Sequence, residues 1–148
     1  MLKLKITKMV NYWYFKIGAN DQSFEQVKQR CLDTKSIGIG YDLQLNYLLS
    51  TPEERKENWL NKDTNLTNRQ IQDKERYFQT FTQKMKKGDI VFLCKGLNEI
   101  LYICELADDQ YYYSDIDIHS LRHRRHITNI KSFECIAPKK MLGTIYSV

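Results

Sequence analysis

The stretch YWYFKIGAN, residues 12–20, is an aromatic strand that runs without a turn into a lysine, a glycine and an asparagine. A strand that only fills a core usually ends at an ordinary turn. This strand instead carries rings, a cation and a polar amide to the point where it leaves the sheet. The stretch therefore predicts the first strand of a sheet and one wall of a binding site.

Length and composition predict a single soluble domain. The chain has 148 residues, 42% of them hydrophobic, which suffices for one domain with a core. Its apolar runs, such as residues 90–94, are too short to cross a bilayer, and residues 1–10 lack an apolar stretch of signal-peptide length. We therefore expect one cytoplasmic domain, residues 1–148, with no membrane partner.

Motifs for metal binding are weak. The cysteines are scattered without a C-x-x-C pair, so we expect buried free thiols. The histidines have H-x-x-x-H-x-x-H spacing, but the arginines beside them would repel a divalent ion. We therefore expect no metal site. The residues concerned are Cys31, Cys94, Cys104 and Cys135, and His119, His123 and His126.

Catalytic motifs are equally weak. The segment GIG at residues 38–40 lacks the third glycine of a dinucleotide-binding fingerprint. Asp115 and Asp117 would share one face of a strand, but no base or nucleophile can be paired with them. We expect no catalytic residue and no cofactor. An enzyme that acts on a nucleotide or small molecule, with Asp42, Asp115 and the histidines, stays an open alternative.

Positive charge is concentrated near the end of the chain. The net charge is +5, and between His119 and Lys140 six Arg and Lys residues accompany the single acid Glu134. A local basic patch suits a phosphate backbone, which supplies most of the non-specific affinity for nucleic acid. The alternative is an ordinary solvated surface, and charge alone does not decide between the two.

The predicted order of elements is a strand, a helix, a second strand, two helices and then several antiparallel strands. Ser23-x-x-Gln26 and Thr67-x-x-Gln70 have the spacing of capping boxes, and Pro52 suits the first position of a helix. This order is typical of an α+β fold in which a small, twisted, mostly antiparallel sheet curls into a barrel with flanking helices. The predicted strands are 11–17, 36–42, 90–95, 100–106, 110–113, 123–128 and 144–148, and the predicted helices are 23–33, 51–60 and one from residue 67 to just before residue 85.

Aromatic and charged residues recur at the ends of the predicted strands. Tyr41 and Asp42 end the glycine-rich second strand, where another backbone or a ligand approaches closely. In the tyrosine triplet, alternation along a strand puts Tyr111 and Tyr113 on one face. The basic run HRRH follows at residues 123–126. Together these residues predict a site in which rings from separate strands lie beside cations.

Short motifs along the chain resemble those of a known superfamily. NYWYFK looks like the YWLFKSEP opening of EVE domains, which belong to the PUA-like superfamily, and like the first strand of YTH domains. MKKGDIVF resembles the MK-GD-V turn and strand of the same domains. The segments IGIGYD, YYY, HRRHI and the terminal GTIYSV are similar to segments of the N-terminal DNA-recognition domains of McrB-type modification-dependent restriction systems. The resemblance extends over residues 11–148.

The resemblance implies a PUA-like fold and a non-catalytic domain that binds double-stranded DNA with a modified, in particular methylated, base. The base would be flipped into an aromatic pocket, and the domain would target a restriction complex whose other domains or subunits cleave the DNA. An RNA-binding PUA-like domain is the alternative. By this resemblance the base pocket comprises Trp13, Ile17, Gly18, Asn20, Tyr41, Asp42, Tyr111 and Tyr113, and the contacts to the nucleic-acid backbone are Lys16, Arg122, Arg124, Arg125, Lys86 and Lys87.

Overall fold

The computed structural model describes residues 9–18, 23–96, 98–115, 121–137 and 145–147. This part of the chain contains six strands, three α-helices and one π-helical turn. The strands are β1 (Tyr12–Lys16), β2 (Ser36–Ile39), β3 (Ile90–Lys95), β4 (Glu99–Tyr113), β5 (His123–Ile136) and β6 (Ile145–Ser147). The helices are α1 (Phe24–Thr34), α2 (Pro52–Lys62) and α3 (Asn68–Gln79), and the π-helical turn is Thr80–Lys84.

The strands form one mixed sheet that curls into a half-barrel, in the order β2-β5-β4-β3-β1-β6. β1 lies between β3 and β6, and it pairs parallel with β3. The other four pairings are antiparallel. The prediction of an α+β fold with a small, mostly antiparallel, curled sheet and flanking helices is confirmed at this level.

β4 and β5 form a long hairpin that bends at several bulges. Their pairing shifts its register between Leu106 and Tyr111, and Asn129 in β5 has a positive φ of 52°. Bulges bend a strand and increase its twist, so the pair can follow the curl of the sheet. The sequence predicted two short strands in place of β4 and ended β5 at Thr128. Residues 129–136 are mostly exposed without alternation, so their pattern carries no signal of a strand.

Each α-helix begins at a capping box. The side chains of Ser23, Thr51 and Thr67 accept a hydrogen bond from the N–H three residues later, and the side-chain oxygen of that later residue accepts one from the N–H of the capping residue. Pro52 occupies the first turn of α2, as predicted. α3 ends earlier than predicted because the chain widens into the π-helical turn after Gln79. No helix in the described part of the chain combines the length and the apolar character that a membrane span requires.

One face of the sheet packs against the helices and holds the main core. Helical spacing in the sequence predicts that Ile71, either Tyr77 or Phe78, and Phe81 face the core. In the structure Ile71, Phe78 and Phe81 are buried there. Phe78 packs against Tyr47 and Trp59, with ring centroids 5.2 and 6.1 Å apart. We call this helix-covered face the inner face of the sheet and the opposite face the outer face.

Candidate functional site

The protein's own side chains fill the predicted aromatic pocket. Tyr111 and Tyr113 pack against His123, at ring-centroid distances of 5.8 and 5.1 Å. His123 in turn meets Phe78 edge-on at 4.6 Å, and Tyr41 contacts Phe78 at 6.1 Å. The structure therefore brings the three predicted tyrosines to one cluster, but Phe78 and His123 occupy the space between them that a base would need.

A chain of hydrogen bonds closes this cluster. Nε2 of His123 lies 2.8 Å from the carbonyl oxygen of Leu43, which can only accept, so Nε2 carries the proton. Nδ1 therefore accepts from the Tyr111 hydroxyl at 2.6 Å, and that hydroxyl accepts from the N–H of Tyr47 at 3.1 Å. Burial lowers the pKa of His123 to about 4 and raises the pKa of Tyr111. Both side chains are therefore neutral near physiological pH.

Tyr41 and Asp42 form the exit from β2 in a left-handed backbone conformation, with φ values of 48° and 58°. The ring of Tyr41 stacks on Tyr77 at 5.2 Å, and its carbonyl oxygen accepts a hydrogen bond from the indole N–H of Trp59 at 2.9 Å. Tyr41 is half-buried and Asp42 is exposed. Tyr41 therefore ties this exit to α2 and α3.

Trp13 is a core residue. Its side chain is 8% exposed, and the indole N–H donates to Oδ2 of Asp89 at 2.9 Å. Asp89 also accepts from the backbone N–H groups of Asn11 and Lys86, at 3.2 and 2.9 Å. The aspartate of the KKGD turn thus joins β1 to the start of β3. The predicted role of Trp13 in a base pocket does not agree with this placement.

Three residues of the predicted site, Lys16, Ile17 and Gly18, lie at the end of β1. Ile17 is buried, and its N–H donates to the carbonyl oxygen of Cys94 at 2.9 Å, so strand pairing continues beyond Lys16. Lys16 is half-buried. Gly18 is exposed, and a Cβ added to it would meet no atom of the described residues within 4 Å. The predicted pocket residue Asn20 lies outside the described residues.

The sheet register separates the end of β1 from the aromatic cluster. Lys16 pairs with Cys94, and Cys94 pairs with Ile100 near the start of β4. His123 pairs with Tyr113 at the last residue of β4. The two groups of residues predicted to form one pocket therefore lie at opposite ends of β4.

Arg125, predicted to contact a phosphate backbone, is buried instead. Its side chain is 0% exposed, and the guanidinium donates to the carbonyl oxygens of Phe81 at 2.7 Å and Met85 at 3.0 Å. It also donates to the carbonyl oxygen of Asp108 at 3.0 Å. Carbonyl groups at the end of a helix have no hydrogen-bond donor within the helix, and here the guanidinium of Arg125 is that donor. In this structure Arg125 is therefore not exposed for the predicted phosphate contact.

Arg124 is buried against β2. Its Nε and Nη2 donate to the hydroxyl oxygen of Ser36 at 2.9 and 2.7 Å. The guanidinium lies so close to the strand that a Cβ on Gly38 would be 2.6 Å from Nη1. The sequence predicted that another backbone or a ligand lies close to the glycine-rich strand, and in the structure the side chain of Arg124 lies there. Its predicted contact with a phosphate does not agree with this placement.

The other predicted backbone contacts are accessible. Arg122 is half-buried, and Lys86 and Lys87 are exposed in the turn before β3. Because Arg124 and Arg125 are buried, the predicted basic patch retains one of its three arginines, Arg122, at the surface.

The cysteines agree with prediction at three of four positions. Cys31, Cys94 and Cys104 are buried, whereas Cys135 is exposed. Burial raises the pKa of Cys94 and Cys104 to about 12, so neither is a reactive thiolate near neutral pH. Within the described ranges, no three His, Cys or acidic residues are placed to hold a metal ion, and His119 lies outside those ranges.

An aromatic strip on the outer face was not predicted as a site. We define the strip by Tyr12 and Tyr14 of β1, Phe92 of β3 and Phe133 of β5. The ring of Phe92 lies 6.5 Å from Tyr12, 5.5 Å from Tyr14 and 6.2 Å from Phe133. Tyr12 is 48% exposed and Phe133 is 45% exposed. The strip is therefore open to solvent on two different strands.

Lysines flank the aromatic strip. Alternation along β1 places Lys16 on the same face as the two tyrosines, and alternation along β5 places Lys131 on the same face as Phe133. Lys131 is exposed. The acid Glu105 of β4, on the same face, accepts a hydrogen bond from the side chain of Asn129 at 3.3 Å. The outer face thus combines exposed rings with cations.

A family model covers most of the chain. The model described as Domain of unknown function (DUF8426) matches residues 13–145. The chain belongs to this family. The DUF8426 match begins in β1 and ends in β6, so it includes the three helices and all of the aromatic strip except Tyr12. No curated protein and no solved structure matches the chain.

Proposed function

We propose that the chain is a nucleic-acid-binding domain without catalytic residues, and that the aromatic strip contacts unpaired bases. The observation that carries this proposal is the contiguous row of rings on the outer face, open to solvent at Tyr12 and Phe133. Tyr14 is buried and Phe92 is half-buried, so the strip is exposed at its two ends. Single exposed apolar residues are common, but exposed rings that are joined through neighbouring rings form a patch of the kind that marks an interaction surface. Bases suit this patch because every base has a flat face that stacks on an aromatic ring.

Stacking and charge together account for the expected affinity. Each base that stacks on an aromatic side chain contributes about 1–3 kcal/mol. Bases within a duplex are already stacked on each other, so the strip favours single-stranded segments. Lys16 and Lys131 lie on the same face as the rings, where they are placed to neutralise phosphate groups. We therefore expect binding that weakens as salt concentration rises.

A PUA-like fold, and a restriction complex or RNA as partner, are part of the same proposal. A curled, mostly antiparallel sheet with flanking helices supports the PUA-like fold that the EVE-like and YTH-like motifs imply. The aromatic strip supports the RNA-binding alternative within that superfamily. A restriction complex as partner, and a cytoplasmic location, are supported by the resemblance and the composition alone.

A second candidate is the predicted reader of a modified base in double-stranded DNA. Open space beside Gly18 favours it, because a flipped base could lie against the backbone of residues 17–18 with Lys16 near its phosphate. Extruding a base costs a few kcal/mol, which contacts with the flipped base must offset. The filled cluster around His123 cannot supply those contacts, so the end of β1 would have to do so.

A fluorescence-anisotropy titration distinguishes the two candidates. The probes are single-stranded RNA, single-stranded DNA, an unmodified duplex and a methylated duplex of one sequence. The strip predicts tighter binding of the single strands, and a loss of at least tenfold, about 1.4 kcal/mol, in the variant Tyr12→Ala/Phe133→Ala. Leu49→Ala is the control, because Leu49 is 83% exposed outside the strip.

Three results would contradict the proposed role of the aromatic strip. A preference for the methylated duplex that survives in the double variant would establish the second candidate in place of the first. Equal binding by wild type and double variant, without preference among the probes, would remove the strip from the mechanism. If none of the four probes binds, both candidates are wrong.

A further inference from the structure

A polar groove of about 580 Å³ runs along α3 and the π-helical turn, on the helix-covered side of the sheet. We define the groove by the hydrogen-bond donors that line it: Arg69, Gln72, Arg76, Gln79 and Lys84. The first four recur at spacings of three and four residues, which places them on one face of the helix. One side of α3 therefore carries a row of donors, and Tyr47, Asp73 and Glu75 complete the lining of the groove.

The acidic residues of the groove are already paired. Asp73 forms an ion pair with Arg76. The carboxylate of Glu75 accepts two hydrogen bonds from the buried Arg55, at 2.6 and 2.9 Å, and one from the Tyr47 hydroxyl at 3.0 Å. Burial and the nearby Glu75 carboxylate raise the pKa of Tyr47 to about 12, so its hydroxyl remains a donor. Neither acid is therefore left to repel an anion alone.

Two cations of the groove remain accessible to a ligand. Arg69 and Lys84 are exposed, and neither has an acidic partner within the described ranges of the chain. The groove lining holds three cations against two acids, so its formal charge is positive. Gln72 and Gln79 add neutral donors along the same wall. An anion in the groove would thus meet donors from Arg69 to Lys84, beside the paired carboxylates of Asp73 and Glu75.

The π-helical turn sets the position of Lys84. The N–H of Met85 donates to the carbonyl oxygen of Thr80 at 3.0 Å, a bond that spans five residues and widens the helix. Arg125 holds this turn from the core by binding the carbonyl oxygens of Phe81 and Met85. Such turns are frequent at functional sites. Arg125 therefore affects the groove indirectly, because it holds in place the turn that carries Lys84.

We infer that the polar groove binds a phosphate-bearing ligand. Guanidinium and ammonium groups in a row are the side chains that recognise phosphate oxygens. The volume of the groove lies within the range of small-molecule sites, about 300–1,000 Å³. The phosphate belongs to a free nucleotide or to a nucleic-acid backbone, which share this chemistry. The inference does not depend on the aromatic strip, because α3 covers the opposite face of the sheet.

An NMR titration of backbone amide signals tests the inference with two probes, inorganic pyrophosphate and a single-stranded oligonucleotide. We expect shifts in α3 and the π-helical turn, and at least tenfold weaker binding by the variant Arg69→Gln/Lys84→Gln. Both residues are exposed, so the fold should persist, and circular dichroism checks it. Lys56→Gln/Lys62→Gln is the matched control, since it removes two exposed cations from α2 and should keep full binding.

The two probes identify the source of the phosphate. Shifts in the groove with pyrophosphate indicate a free nucleotide, and shifts with the oligonucleotide alone indicate a nucleic-acid backbone. No shift in the groove with either probe, or equal binding by wild type and the Arg69→Gln/Lys84→Gln variant, overturns the inference. The variant Tyr12→Ala/Phe133→Ala should leave the shifts caused by pyrophosphate unchanged. The hypothesis about the groove and the hypothesis about the aromatic strip can therefore be refuted independently.

Discussion

The hydroxyl of Tyr111 donates a hydrogen bond to Nδ1 of His123 across 2.6 Å. On the other side of the ring, the protonated Nε2 binds the carbonyl oxygen of Leu43 at 2.8 Å. The neutral imidazole is thus held in one tautomer from both sides. A second proton would place a charge in the core and would turn the acceptor that faces Tyr111 into a donor. The aromatic cluster therefore depends on a neutral His123.

We predict that acid destabilises the fold through His123. Burial lowers its pKa from 6.5 to about 4, so between these values the unfolded chain binds a proton that the folded chain does not. The free energy of unfolding therefore falls as the pH is lowered through this range. The complete loss is on the order of 3 kcal/mol, because one pKa unit corresponds to about 1.4 kcal/mol. Urea denaturation at a series of pH values measures it.

His126 provides the control for this experiment. It lies on β5, three residues from His123, but its side chain is exposed. The variant His126→Gln should therefore keep the loss of stability in acid. Unfolding free energies that stay constant between the two pKa values of His123 would contradict the prediction.

Arg125→Met should destabilise the protein by at least about 3 kcal/mol, because it leaves buried carbonyl oxygens without a donor. Those carbonyls belong to Phe81, Met85 and Asp108. Arg122→Met, at a half-buried position just before β5, should cost much less. Chemical denaturation compares the two. A stable Arg125→Met variant with weakened nucleic-acid binding would restore the original prediction that Arg125 contacts phosphate.

Gly38→Ala should cost about 1–3 kcal/mol, as overpacking of a core does. The new Cβ would lie 2.6 Å from Nη1 of Arg124 and 3.1 Å from Cβ of Leu121, and both neighbours are buried. Gly18→Ala should change stability by less than about 0.5 kcal/mol, because open space surrounds that position. Thermal unfolding of the two variants tests the contrast, and equal melting temperatures would refute it.

Lys131→Gln should lower the salt dependence of single-strand binding. If Lys131 neutralises one phosphate, the slope of log K against log salt becomes shallower by roughly 0.7. Lys56→Gln, at an exposed position of α2, should leave the slope unchanged. Anisotropy titrations at several salt concentrations measure both slopes. An unchanged slope for Lys131→Gln would exclude this lysine from the interface.

Helices and core contacts could be predicted because their signals are local. A capping box needs only two residues within one turn, and Ser23 and Thr67 show it in the sequence as in the structure. The spacing of Ile71, Phe78 and Phe81 likewise reports one side of a helix. The π-helical turn has no such pattern, so the last turn was predicted as α-helix.

The candidate site was harder to predict because it depends on distant partners. Arg125 binds carbonyl oxygens 40 and 44 residues away, and nothing near Arg125 in sequence shows that its charge is buried. The aromatic strip combines Tyr12, Phe92 and Phe133 from three strands, and Phe133 lies beyond the predicted end of β5. Alternation along β1 places Tyr12 and Trp13 on opposite faces, but it does not show what lies next to Tyr12.

The position of β1 between β3 and β6 has a consequence for the growing polypeptide. β1 is made before both of its neighbours, Ile90–Lys95 and Ile145–Ser147. During translation the apolar rings of Trp13 and Phe15 therefore leave the ribosome long before either neighbour exists. Pairing between such distant segments is slow, and unpaired strands are prone to aggregate. The nascent chain thus has to keep β1 from wrong partners until β6 emerges.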